Sequence, residues 1–132
     1  MNEQEIKTFF ISGHRDITQE EFNLIYKPKI IDAYCNYDAR FIIGDYYGVD
    51  IMAQNYLMDE IKINPQHITV CHMFDKPRNV NKKITNLIGG FKNDVERDSY
   101  MTYHSDEDIA FIRENKWDSG TAQNILRRKT FK

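Results

Sequence analysis

The sequence predicts an α/β fold built on a mostly parallel sheet. Short apolar runs at 8–12, 40–43, 67–73 and 109–112 alternate with longer stretches whose apolar residues recur at helical spacing. That alternation, β-α-β-α-β-α-β-α, is the order of a sheet with right-handed crossovers and helices packed on its faces. The runs are almost continuously apolar, as strands covered on both sides are. At 132 residues the chain fits one domain, with enough length to bury a core without disulfide or metal staples.

Thr8-Phe9-Phe10-Ile11-Ser12 reads as a buried first strand, and Gly13-His14-Arg15-Asp16 as the turn after it. Thr18 and Glu21 form the T-x-x-E pattern of a capping box and start a helix. Phe22, Ile25, Tyr26, Ile30 and Ala33 share one stripe of it, and Pro28 predicts a kink or break within it. Arg40-Phe41-Ile42-Ile43 is the second strand, left through Gly44-Asp45-Tyr46-Tyr47-Gly48. A helix follows with Val49, Met52, Ala53, Tyr56 and Leu57 on one face, ended by Asn64-Pro65. The third strand is 67–73. Residues 75–91, with Pro77 and Gly89-Gly90, read mostly as loop, with a short helix near 83–87. A helix at 94–103 packs through Val95, Tyr100 and Met101. The fourth strand is 109–112, preceded by the charged, solvated loop Ser105-Asp106-Glu107-Asp108. The last helix, about 120–128, buries Ala122, Ile125 and Leu126 and ends in Arg127, Arg128 and Lys129, which suit its C-terminal dipole.

Composition narrows the functional classes. The 18 Lys and Arg against 20 Asp and Glu are mixed along the chain, so no basic stripe marks nucleic acid as the main partner. Phe9-Phe10-Ile11 is too short for a signal core or a membrane span. Cys35 and Cys71 have no C-x-x-C spacing, which fits a reduced, cytoplasmic setting. His14, His67, His72 and His104 lack zinc-ligand spacing, and neither a structural metal nor a cofactor is expected.

Ligands of open parallel sheets bind beyond the carboxyl ends of the strands. Three loops there, at 13–16, 44–50 and 113–121, combine glycine with polar or charged groups. Asp118-Ser119-Gly120-Thr121, with Ala122-Gln123-Asn124 behind it, is an apolar-strand, turn and helix-start sequence. Unpaired N–H donors and the partial positive charge of a helix N-terminus favour an anion, usually phosphate. Ser119 and Thr121 add hydroxyls and Gly120 permits close approach, although Asp118 or Ser119 also fits an ordinary N-cap. Ser12 and Gly13, with Arg15 as a forked donor, suit phosphate, or else form a plain turn. In Gly44-Asp45-x-x-Gly48-Val49-Asp50 the glycines allow a tight loop over a ligand, and Asp50 is either an N-cap or an acceptor for a ribose hydroxyl. Tyr46 and Tyr47 are either stacking groups for a base or plain surface. Arg97 and Met101 share a helix face, either holding a phosphate and a base or forming a solvated face with Met101 in the core. No P-loop, full G-x-G-x-x-G or Ser-His-Asp order is present.

Taken together these loops resemble the SLOG superfamily of Rossmann-like nucleotide-binding domains, over residues 9–128. That group includes the Lonely Guy phosphoribohydrolases, the DNA-processing protein A core and the YspA-type proteins. Ser12-Gly13-His14-Arg15 resembles the first-strand G-S-R element. The 44–50 segment resembles G-G-x-x-G-x-D, with Asp45 at the second glycine. Arg97-Asp98-Ser99-Tyr100-Met101 is similar to R-K-x-x-M, with Asp98 at the lysine. Ser119-Gly120-Thr121 is similar to the final G-G-x-G-T, and to the D-S-G-T-A-x-E of nucleoside 2-deoxyribosyltransferases.

The resemblance implies a Rossmann-like three-layer sandwich with a four- to five-stranded sheet, and a nucleotide or nucleoside-derived ligand held by phosphate or ribose on the glycine loops. It implies binding through Ser12, Gly13, Arg15, Gly44, Asp45, Gly48, Asp50, Met101, Ser119, Gly120, Thr121 and Asn124, and pairing into a homodimer or higher homo-oligomer. In those families a carboxylate and an arginine help cleave an N-glycosidic bond through an oxocarbenium-like transition state. Here Asn124 occupies the carboxylate position. Two expectations follow: a binding domain, or an N-glycosidase or (deoxy)ribosyltransferase with a relocated acid. Asp98 beside Arg97 is the leading catalytic candidate, with Asp45 and Asp50 as others. A purely structural interaction module is the third.

Overall fold

The computed structural model describes residues 4–113 and 119–131. Five strands form one all-parallel sheet: β1 (Ile6–Ile11), β2 (Asp38–Gly44), β3 (Ile68–Met73), β4 (Leu87–Phe91) and β5 (Glu107–Ile109). Their order is β4-β3-β2-β1-β5. The chain therefore steps outward from β1 to β4 and then returns to the other side of β1. The point of reversal lies between β1 and β5, where a parallel sheet opens a crevice at its carboxyl end.

Strand alternation divides the core into two layers. Phe9, Ile11, Phe41, Ile43, Ile68, Val70 and Ile109 face one way, onto the helices that follow β1 and β2. Those helices are α1 (Gln19–Glu21) running into α2 (Lys27–Asn36), and α3 (Val49–Asn55). Phe10, Ile42 and Cys71 face the other way, with Phe91 of β4 and Met101 of α4 (Asp94–Tyr103). The last helix, α5 (Gly120–Phe131), packs beside α4 and β5. The architecture is the expected three-layer α/β sandwich of Rossmann-like type. Each fully buried aliphatic, such as Ile30 or Leu57, contributes about 1.5–3 kcal/mol.

The capping box forms as its sequence predicts, with Glu21 N–H on Thr18 Oγ1 at 3.1 Å and Thr18 N–H on Glu21 Oε1 at 2.9 Å. Pro28 does not break the helix. A π-helical stretch, Phe22–Tyr26, precedes α2, and Pro28 sits in the first turn of α2, where a missing N–H is tolerated. This winding sets Tyr26 so that its hydroxyl donates to Ser12 O at 2.8 Å and accepts from Phe111 N at 3.1 Å, tying the exits of β1 and β5 together.

The region after β3 differs from expectation. Residues 87–91 are strand β4, not loop, and no helix forms at 83–87. Gly89 is needed because the buried His72 ring occupies the space of a Cβ, whose Cε1 would lie at 2.2 Å. Gly90 adopts φ +90° at a register irregularity, and together these erase the strand's apolar signature. β5 is also earlier than expected. Glu107 and Asp108 are strand residues, and the apolar 110–112 run leaves the sheet.

The supposedly solvated cluster before β5 is a staple. Asp106 accepts from Thr8 N at 2.8 Å. Arg128 donates to Ser105 O at 2.7 Å, Thr102 O at 3.0 Å and Asp108 Oδ1 at 3.0 Å. Val95 and Leu126, expected to pack, are exposed, while Asn124 and Arg128 are buried in α5 instead. Cys35 and Cys71 are free thiols, and no described helix is long and apolar enough to cross a membrane.

Candidate functional site

A cavity of about 440 Å³ opens at the reversal point. Its walls are the end of β1 with its loop, the exit of β2, the inner face of α4 and the first turns of α5. The candidate residues named from the sequence line it except Asp45, Tyr47 and Gly48; Asp118 lies outside the described residues. Phe10 and Met101, both buried, contribute an apolar surface between the polar loops. Met101 thus serves the core and the cavity at once.

Asp45 and Gly48 brace the site from behind. Asp45 is fully buried. Its Oδ1 accepts from Arg97 Nη1 and from Arg78 Nη2, each at 2.8 Å, and its Oδ2 accepts from Arg78 N–H at 2.8 Å. Burial pushes this carboxyl up, but the Arg78 and Arg97 contacts prevail and hold it below the usual carboxylate range. The group expected to meet a ligand is saturated by arginine. Gly48 has φ +83°, and a Cβ there would lie 2.5 Å from Arg15 Cα, so this glycine lets the two loops touch.

Arg97 is the hub. It is 5 % exposed and bonds Asp45, Asp98 (Nη2–Oδ1 3.0 Å) and Asp94 (Nη2–Oδ1 3.4 Å). This helix face is no solvated surface. Asp98 is held by Arg97; burial raises its pKa against the opposing pull of Arg97 and the nearby Asn124 side chain. Asn124 in turn accepts from Arg127 Nη1 at 2.8 Å, which orients its amide nitrogen as the donor. The Asn124 amide thus lies beside a carboxylate on the neighbouring helix and favours its ionised form.

Asp50 caps no helix; Gly48 occupies that position. Its carboxylate turns back and accepts from Tyr46 N–H at 3.1 Å. Burial lifts its pKa to about 7 despite the charge of Arg97. Gly44 is required here, because a Cβ would meet Asp50 Oδ2 at 2.6 Å and Arg97 Cζ at 3.1 Å. Tyr46 lies between two arginines: its hydroxyl is 3.3 Å from Arg15 Nη1 and Arg78 Cζ sits 4.7 Å from its ring centre. Tyr47 is exposed.

The opposite wall carries donors. Ser12 is 6 % exposed, and its Oγ has no partner among the described residues. Gly13 is dictated by packing, since a Cβ would strike the Tyr26 hydroxyl and Val49 at 2.4 Å. Ser119 is the N-cap, with its Oγ accepting from Ala122 N–H at 3.1 Å. A Cβ on Gly120 would meet open space, and Thr121 is buried beside it. Arg15 is exposed at the rim, where its Nη1 donates to the Tyr46 hydroxyl at 3.3 Å.

Phe10, His14, Asp16 and Asp94 also line the cavity and were not singled out by sequence as site residues. His14 and Asp16 sit inside the first loop, so its motif pointed to them; Phe10 looked like core and Asp94 like a helix-start acid. His14 Nε2 accepts from Arg113 N–H at 3.1 Å, which links the first loop to the exit of β5. Neither a family model, nor a curated protein, nor a solved structure matches this chain.

Proposed function

We propose that this protein binds a nucleotide or a nucleotide derivative at the end of β1. The observation that carries the reading is the Ser12 hydroxyl, buried without a partner among the described residues in a cavity that the first turn of α5 also lines. Leaving such a group unsatisfied costs about 1–3 kcal/mol, which a ligand oxygen would recover. The helix terminus and Arg15 suit a phosphate or sugar oxygen. Phe10 and Met101 supply an apolar surface for a base, and Asp98 and Asp50 can accept from sugar hydroxyls.

Hydrolysis of an N-glycosidic bond is the second reading, favoured by Asp98. In it the bond from C1′ to the base nitrogen breaks, water oxygen bonds C1′, and the departing base takes up a proton. Asp98 would stabilise the positive charge that develops at C1′. It is held for this by Arg97, whose Nη2 donates to its Oδ1 at 3.0 Å.

One panel separates the readings. Nucleosides, nucleoside monophosphates and dinucleotide-like compounds are screened for a melting-temperature shift and for base release. Binding predicts a shift, since a ligand at 100 times its Kd adds about 2.7 kcal/mol of stability. Release of base, abolished by Asp98→Asn, would establish the enzyme. No shift across the panel would leave the structural interaction module as the better account.

A further inference from the structure

Resting on the binding reading above, we propose that Tyr47 is a stacking subsite outside the cavity, and that the full ligand carries a second flat ring, as a dinucleotide does. The cavity holds about 440 Å³, near the lower end for small-molecule sites, so a ligand with a second ring system must project past its rim. Tyr46 lines the cavity, and Tyr47, the next residue, does not. The two rings lie side by side, 4.6 Å between centres and inclined by 37°. Together they lead from the cavity wall to the outer surface.

The inner ring is fixed in place. The Arg78 guanidinium lies over Tyr46, 4.7 Å from the ring centre, and is itself anchored by the buried Asp45 at 2.8 Å and by Asp94 at 3.3 Å. Tyr46 N–H donates to Asp50 at 3.1 Å, and the Tyr46 hydroxyl accepts from Arg15 at 3.3 Å. Tyr46 is thus held by its backbone, its ring and its hydroxyl, and Tyr47 rests against it. Yet Tyr47 is 51 % exposed, so much of its surface still faces water. An aromatic ring supported in this way takes a partner at little cost in side-chain entropy. A nucleobase or other flat ring gains from laying its face there, whatever its hydrogen-bond pattern. Arg15, exposed at the rim and bonded to Tyr46, supplies a guanidinium for the phosphate that joins two such rings. The shelf therefore selects by flatness and reach, and leaves the choice of base to the cavity.

The test is calorimetric titration with three probes for each of the four common bases. These are the nucleoside 5′-monophosphate, the nucleoside diphosphate ribose, which has no second ring, and the symmetric 5′,5′-dinucleoside diphosphate. For the base that binds best, the dinucleoside diphosphate should bind at least ~5-fold more tightly than the diphosphate ribose, beyond the factor of about two that its symmetry gives. Tyr47→Ala should erase that advantage and leave the monophosphate affinity as it was, whereas Tyr47→Phe, which keeps the ring, should retain it. Proton NMR of the wild-type complex should show one of the two bases shifted upfield by the tyrosine ring current. Equal affinity for the two diphosphates, an advantage that survives Tyr47→Ala, or two bases without that shift would overturn this proposal and leave the binding reading intact. If no probe binds, the binding reading falls and the shelf falls with it.

Discussion

In the loop after β2, the conspicuous residues are engaged with the protein itself. Asp45 is consumed by Arg78 and Arg97, Gly44 makes room for Asp50, and Gly48 makes room for the backbone of Arg15. In the loop after β1, Gly13 is likewise a packing glycine, but Ser12 and Arg15 are left facing the cavity. Two glycine loops that look alike in sequence therefore divide the work. One is a brace with its polar groups satisfied, and the other is a surface with polar groups in reserve. Loss of the brace should cost stability, whereas loss of the reserve should cost binding.

The largest effect is expected at Asp45. Asp45→Ala strips a buried partner from Arg97 and releases Arg78, and should destabilise by about 3–5 kcal/mol in urea unfolding. Because the folded carboxyl titrates below its ordinary value, its contribution is present above the unfolded pKa and is lost as pH falls through the folded one. The acid limb of the wild-type stability curve should therefore be shallower in the variant, with Glu21 and Asp59 supplying what remains. Gly48→Ala comes next, at about 2–4 kcal/mol, since it combines a left-handed φ with a clash against backbone that cannot swing aside. A variant within 0.5 kcal/mol of wild type, to roughly the precision of such data, would remove the loop from the brace.

Asp50 sharpens the contrast through pH. It binds its proton more tightly folded than unfolded, so stability should decline as pH rises from about 4 towards about 7. Asp50→Asn should flatten that slope, measured as melting temperature across the range. The smallest effect on folding belongs to the other loop. Ser12→Ala removes an unpartnered buried hydroxyl and should leave stability unchanged or raise it by up to about 1 kcal/mol, while weakening ligand binding. Stability lost by several kcal/mol would place Ser12 with the brace instead.

Much of this was legible in the sequence, and the exceptions have physical causes. The sandwich was readable because parallel strands are apolar on both faces, and the capping box because Thr18 and Glu21 are local partners. β4 was not, because a histidine from β3 requires Gly89 where a strand would carry a side chain. The loops that form the cavity were found, since glycine and polar residues after strands are a local signal. What each residue does there was not. Asp45 reads as a ligand group until Arg78 and Arg97, 33 and 52 positions away, are seen on it. Asn124 reads as a candidate ligand group until its burial and its bond from Arg127 are seen.

The central claim is that a nucleotide-type ligand seats between the first loop and the start of α5. Backbone amide NMR during titration with nucleoside monophosphates tests it most directly. The account predicts saturable shifts at Ser12, Gly13, Arg15, Gly120 and Thr121, with the amides of β4 unmoved. Saturable shifts centred elsewhere, with these five silent, would contradict it.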